Sequence, residues 1–243
     1  NNASMSTAGL TITSREPVSL DDVLISDSNR KQLLQLIREN RHLSELRKYN
    51  LQVSNKILLH GSSGCGKTYT AKAIATALKK KLIIVSLSTL VNSRIGETAK
   101  NLNAIFDKAK WDKAVLFLDE FDHIGVARDF DEKDVGEMRR LVNTLIQLID
   151  YLPEEVIMVA ATNHLDFIDS ALLRRFQLRL EYTMPDQKSL DVYYDQLLSA
   201  FPQRFRNMIR KYEISYAEAK DEVQTAVKRS IIEELEQREA EGI

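Results

Sequence analysis

Eight residues at 61–68, "GSSGCGKT", restrict the fold more than any other part of the chain. Three of the chain's eight glycines fall here, directly before a lysine and a threonine. Glycines at this density permit dihedrals closed to other residues, so that successive backbone N–H groups can curl around an anion. Such a nest gains from opening a helix, whose N-terminus adds favourable partial charge. The flanks supply that setting: "KILLH" (56–60) is a short apolar run that reads as a buried strand, and a helix is expected from Lys67 to about Lys80. Strand, tight loop and helix in that order form one arm of a parallel βαβ unit.

The remainder of the pattern extends that unit. "KLIIVSL" (81–87), "AVLFLDE" (114–120), "EEVIMVAATN" (154–163) and a weaker "LRLEY" (178–182) read as further strands. Helical spacing separates them: Leu33, Leu34, Leu36, Ile37, Leu43 and Leu46 in one stretch, Leu102, Ile105, Phe106 and Ala109 in another. Val135, Met138, Val142, Leu145, Ile149 and Leu152 mark one long amphipathic helix. After Pro185 the strand signal stops, and three helical stretches are expected near 188–200, 202–212 and 216–240. The expected organisation is therefore an arm over residues 1–17, an α/β domain over 18–185 and a small all-α domain over 186–243. The polar opening "NNASM" reads as a cloning remnant ahead of Met5 and is set aside.

The loop fits the P-loop pattern: glycine, four residues, glycine, lysine, then serine or threonine. Gly61, Ser62, Ser63, Gly64, Cys65, Gly66, Lys67, Thr68 and Tyr69 are the candidate nucleotide-binding residues. Lys67 would reach the β- and γ-phosphates, and the Thr68 hydroxyl would hold Mg²⁺. Asp119 and Glu120 end an apolar strand, where side chains face the crevice in which such sheets bind ligands. Asp119 would hold Mg²⁺ through water, and Glu120 would deprotonate the attacking water. Asn163 ends the next apolar strand, within reach of the γ-phosphate or that water. Arg174 and Arg175 in "DSALLRRF" are two rigid cations that could stabilise charge developing on a transferred phosphoryl group.

The order of "GSSGCGKT", "LFLDEFD", "DVGEMRRLVNTLIQLID" and "VAATNHLDFIDSALLRRF" resembles the AAA branch of the AAA+ ATPases, from about residue 18 to about residue 228. The resemblance implies a five-stranded parallel sheet with a helical lid, and a ring, typically a homo-hexamer, with ATP bound between subunits. Asn163 would be the first sensor, and Arg174 and Arg175 would act on the neighbour's ATP. Asp22 and Val23, in "VSLDDV", fall in the segment the family sets against adenine. Within the branch the chain is similar to small bacterial ATPases dedicated to one partner. Some lie beside subtilisin-like proteases; others resemble the pachytene-checkpoint remodeller of HORMA-domain proteins and act in anti-phage systems.

Two departures are visible. Where the family's pore loop carries an aromatic residue, this chain has Arg94, followed by Ile95 and Gly96. Limited remodelling is therefore easier to support than processive unfolding. No glycine marks the lid's nucleotide-contacting turn, where residues 215–217 stand instead. By resemblance, 125–137 would be a second pore loop with Phe130 as a contact.

Composition narrows the alternatives. A formal net charge of −1 gives no bulk drive toward nucleic acid, which argues against a clamp or helicase loader. No apolar run approaches the roughly 18–20 residues of a membrane span. The single cysteine, Cys65, excludes an intrachain disulfide and fits a reducing, cytoplasmic setting. The expected activity is ATP hydrolysis coupled to remodelling of a protein client.

Overall fold

The computed structural model describes residues 11–14, 17–91, 95–124 and 132–240; side chains at 14, 95, 96, 132–135 and 137 are outside the description. The chain divides into two compact units. The first comprises residues up to Gly61 together with Lys67–Tyr182; the second joins Ser62–Gly66 to the segment from Thr183 onward.

The first unit is built on one sheet. β1 (Ile12–Ser14) precedes α1 (Asp27–Arg41) and α2 (Leu43–Lys48). β2 (Lys56–Gly61) leads to α3 (Lys67–Leu78), and β3 (Leu82–Ser86) to α4 (Leu87–Val91) and α5 (Ile95–Asp112). β4 (Val115–Asp119), α6 (Glu132–Asp150), β5 (Ile157–Thr162), α7 (Ser170–Leu173) and β6 (Leu178–Tyr182) complete it. The strand order is β1-β3-β4-β5-β2-β6. Every pairing from β3 to β6 is parallel, so those five strands finish at the same edge. The three central strands run as near-unbroken apolar segments because helices cover both faces.

Two expectations change. Among the described residues the five expected parallel strands are joined by a sixth: Ile12–Ser14 pairs antiparallel with β3, within the stretch expected to be an arm. A three-residue strand is too short to show a period, and its pairing partner is some 70 residues away. In the second unit α8 (Gln187–Ser199) and α9 (Tyr216–Ala240) are helical, but the middle stretch is not. Only Gln203–Phe205 makes a 3-10 turn there. The segment beyond it is pinned by side chains instead. The Tyr194 hydroxyl donates to the Lys211 carbonyl (2.9 Å), and Arg210 pairs with Asp191 (2.9 Å) and Asp195 (2.5 Å). Good helix formers at suitable spacing lose to these tertiary bonds.

The main core lies on one face of the sheet, under α5 and α6, with Phe106, Phe117-flanking Leu116 and Leu118, Phe121 and Leu145 fully buried. The second unit has its own core of Leu190, Tyr194, Leu198, Phe205, Ala219, Val223 and Val227. At the strand-start edge of the sheet, Arg47 bonds Glu154 (2.8 Å) and Glu155 (2.6 Å), tying α2 to the turn before β5. That contact holds the Glu155 carboxyl down at about 2.

Phe106→Ala should lower unfolding free energy by about 3–5 kcal/mol in denaturant melts. Trp111→Ala, on the same helix but 89% exposed, should stay within about 0.5 kcal/mol. Because Glu155 titrates lower in the folded chain, its pairing stabilises above pH 4.5 and is lost as pH falls through about 2. The stability gap between the parent and Arg47→Ala should therefore be small at neutral pH and close over that window; a constant gap would contradict the pairing.

Candidate active site

The parallel register sets the site. Gly61 ends β2, Asp119 ends β4 and Thr162 ends β5, with Asn163 one residue beyond. Ser86, the last residue of β3, is the register partner of Asp119. Four strand ends thus deliver polar groups to one edge, the edge where open parallel sheets bind ligands.

Lys67 opens α3 and is only 9% exposed. Its ammonium donates to the Gly61 carbonyl (2.7 Å) and to Asn163 Oδ1 (2.8 Å). The motif lysine and the expected sensor are thus in direct contact. Gly61 has φ +118, and a Cβ there would lie 2.1 Å from the Tyr182 carbonyl oxygen. Only glycine allows the loop to leave β2 this close to β6. Beneath it, the buried Thr70 and Tyr182 hydroxyls share a 2.7 Å hydrogen bond, and burial pushes the Tyr182 phenol up to about 12.

The two acids differ in environment. Asp119 is half-buried; desolvation raises its pKa, opposed by the Glu120 N–H that it accepts (2.9 Å) and by nearby Lys67. Glu120 has φ +56, a left-handed conformation that costs a non-glycine residue free energy and is held here by its surroundings. Its carboxylate accepts hydrogen bonds from the Ser88 and Ser86 hydroxyls, the latter at 2.7 Å. Those two bonds, Ser88 first, lower its pKa by favouring the ionised form. Asp122 accepts from Thr162 Oγ1 (2.7 Å), locking the turn after β4 to the end of β5.

The two arginines also differ. Asp169 caps α7, and three arginines close its other end. Arg174 Nε reaches the Ser170 carbonyl (3.3 Å), Arg175 Nη1 the Ala171 carbonyl (2.8 Å) and Arg179 Nη2 the Leu173 carbonyl (2.6 Å). Arg175 is further held by Asp150 at the end of α6. Arg174 is exposed.

Within the second unit the loop Ser62–Gly66 packs on the start of α9. The Ala217 N–H donates to the Gly64 carbonyl (3.2 Å), and a Cβ on Gly64 (φ +70) would lie 2.6 Å from Ser215 Oγ. Ser215 and Glu218 cap the helix reciprocally. Buried Cys65 approaches the Ser63 carbonyl (3.4 Å) and Met184 Sδ (3.9 Å). A Cβ on Gly66 (φ +99) would meet nothing within 4 Å.

Other expected residues have different settings. The Asp22 carboxylate caps the Ser19 N–H (3.3 Å), and Val23 is buried with Val18 and Ala73 in a small cluster against α3. Arg30 fixes this segment by donating to the Leu20 (2.9 Å) and Val23 (2.8 Å) carbonyls. Tyr69 is 43% exposed, with the Lys72 ammonium over its ring. Ile95 and Gly96 open α5; Arg94 and Phe130 lie outside the described residues. Sequence reasoning missed Ser86, Ser88, Tyr182, Asp150 and Arg30. Only Ser86 left a signal, as a hydroxyl residue ending the strand that precedes the acidic one.

Glycine-lined loop, buried lysine, and strand-end carboxylates in this order define a P-loop nucleotide-hydrolase fold. The more particular assignment follows from comparison. Residues 57–184 match the model of the ATPase family associated with various cellular activities (AAA), and the chain belongs to that family. It is 35% identical over 220 residues to the uncharacterized AAA family ATPase y4kL of Sinorhizobium fredii, covering 89% of this chain and 66% of that protein. It is 28% identical over 238 residues to a putative 26S proteasome regulatory subunit homolog of Methanothermobacter thermautotrophicus, covering 94% and 63%. To the proteasome-activating nucleotidase of Thermococcus onnurineus it is 36% identical over 193 residues, covering 76% and 48%. The chain thus spans about two thirds or less of these relatives' lengths. The FIGL-1 AAA domain shares the fold, with TM-score 0.73 at 22% identity over 94% of this chain and 79% of that one; one structure of that domain is a complex with ADP.

Gly61→Ala should abolish nucleotide binding in a titration and cost about 1–3 kcal/mol or more of stability. Gly136→Ala in α6, where a Cβ meets nothing within 4 Å, should instead gain about 0.5–1 kcal/mol.

Proposed function

We propose that this chain hydrolyses ATP as a subunit of a homo-hexameric ring and uses the cycle to remodel a partner protein. The observation that carries the reading is the Lys67 ammonium held between Gly61 and Asn163, at the sheet edge that also carries Asp119 and Glu120. Loop 61–68 takes the phosphates, with Lys67 supplying charge. Asp22 and Val23, braced by Arg30, lie on the adenine side, and Tyr69 follows the loop. The Thr68 hydroxyl and the Asp119 carboxylate, whose second oxygen accepts no hydrogen bond among the described residues, form the hard oxygen set that suits Mg²⁺. Bound there, the ion would neutralise phosphate charge. Glu120, kept ionised by Ser86 and Ser88, takes the proton from the attacking water. Asn163 orients that water, and Arg174 and Arg175 serve the neighbouring subunit's ATP.

The family and the named proteasome-activating relatives support a protein client over a nucleic acid. We favour a HORMA-type regulator in anti-phage signalling, acting in the cytoplasm, with Arg94, Ile95 and Gly96 at the pore. The second reading is activation of a partner protease, which the same relatives favour. No helix among the described residues is long and apolar enough to cross a membrane. Glu120→Gln should bind ATP normally and hydrolyse it about 10²–10⁴-fold more slowly, while Lys67→Ala should lose ATP binding. Glu120→Gln rings loaded with ATP should retain the client for mass spectrometry. Hydrolysis at the parent rate by Glu120→Gln would overturn the assignment.

A further inference from the structure

The two arginines after α7 are adjacent in sequence, yet their guanidinium groups are in different states. Arg175 has every nitrogen engaged. Nε donates to Asp150 Oδ1 (3.1 Å), Nη2 to Asp150 Oδ2 (3.1 Å), and Nη1 to the Ala171 carbonyl (2.8 Å). This is the two-pronged arginine–carboxylate geometry, directional as well as charged. Each partner favours the other's ionised form, holding the Asp150 carboxyl down and the Arg175 guanidinium up. Arg174 spends only Nε, on the Ser170 carbonyl at a long 3.3 Å. Its two terminal nitrogens have no partner among the described residues, and the side chain is exposed.

A guanidinium saturated by a carboxylate and a carbonyl is poorly suited to receive a phosphate. It would first have to give up a bidentate ion pair. A guanidinium held by Nε alone is aimed by that bond and keeps both terminal donors open. The Asp150 pair also joins the last residue of α6 to the turn that carries Arg174, so it fixes where that turn points. Arg179 adds a second brace by capping the Leu173 carbonyl.

We propose that Asp150 is a positioning residue for the guanidinium that one subunit presents to the next. Through the bidentate lock on Arg175 it aims Arg174, and Arg174 alone is the guanidinium presented to the γ-phosphate bound by the neighbouring chain. This rests on the reading above that the arginines act on a neighbour. It replaces a pair of equivalent arginines with one donor and one brace.

The test measures ATP turnover and ATP affinity of assembled parent, Arg174→Ala, Arg175→Ala, Asp150→Asn and the charge swap Asp150→Arg/Arg175→Asp. Thermal melts identify any variant that is unfolded; Asp150→Asn keeps the shape of the side chain while removing its charge and one of its two acceptors. Arg174→Ala should lose roughly 10³-fold or more in kcat with little change in ATP affinity. Arg175→Ala and Asp150→Asn should lose less, up to about 10²-fold, also in kcat. The charge swap should recover most of that loss; loss confined to kcat, with melts and ATP affinity unchanged, is what a merely structural role would not give. Mixing Arg174→Ala subunits with Lys67→Ala subunits should restore turnover, because each supplies what the other lacks. Full activity in Asp150→Asn, or a greater loss in Arg175→Ala than in Arg174→Ala, overturns this inference and leaves action on a neighbour intact. No recovery in the mixture, with Arg174→Ala inactive, overturns action on a neighbour itself.

Discussion

An ammonium group almost sealed from water cannot sit alone, and much of the first unit is arranged around that of Lys67. An unpaired buried charge costs several kcal/mol. Here the cost is offset by a backbone carbonyl at the end of β2 and a side-chain oxygen just past β5, with the Asp119 carboxylate nearby. These groups reach one place because β2, β4 and β5 are parallel and in register. A slip of one residue would turn Asp119 to the opposite face. Sheet register and site chemistry are therefore one constraint.

The same edge carries the conformational cost of function. Glu120 is held left-handed, its N–H bonded to the preceding carboxylate and its own carboxylate bonded to two serines. That posture fixes the carboxylate, and the two serine bonds favour its ionised form. In the second unit, the loop Ser62–Gly66 and the start of α9 touch at Gly64, where glycine is required by close approach. An event that moves the loop must therefore move that contact.

The parts legible in the sequence were those with short-range signatures. "GSSGCGKT" announced its loop because dense glycines before Lys67 have few other uses, and "AVLFLDE" announced a strand that ends in acid. What was not legible depends on partners distant in sequence. Ile12–Ser14 is a strand only because β3 offers an edge. Ser88 matters only because α4 brings it to Glu120. Residues after Phe205 look helical, yet their conformation is set by Tyr194, Asp191 and Asp195 on α8. Arg174 and Arg175 were indistinguishable as neighbours in a string. Asp150, 25 residues before Arg175, separates them.

The central claim is that ATP bound by this chain is hydrolysed with charge from a second copy. The direct measurement is ATP turnover per subunit as a function of subunit concentration, with assembly followed in parallel by light scattering. The per-subunit rate should rise steeply as rings form and then reach a plateau. A rate that is the same for dispersed and assembled subunits would contradict it.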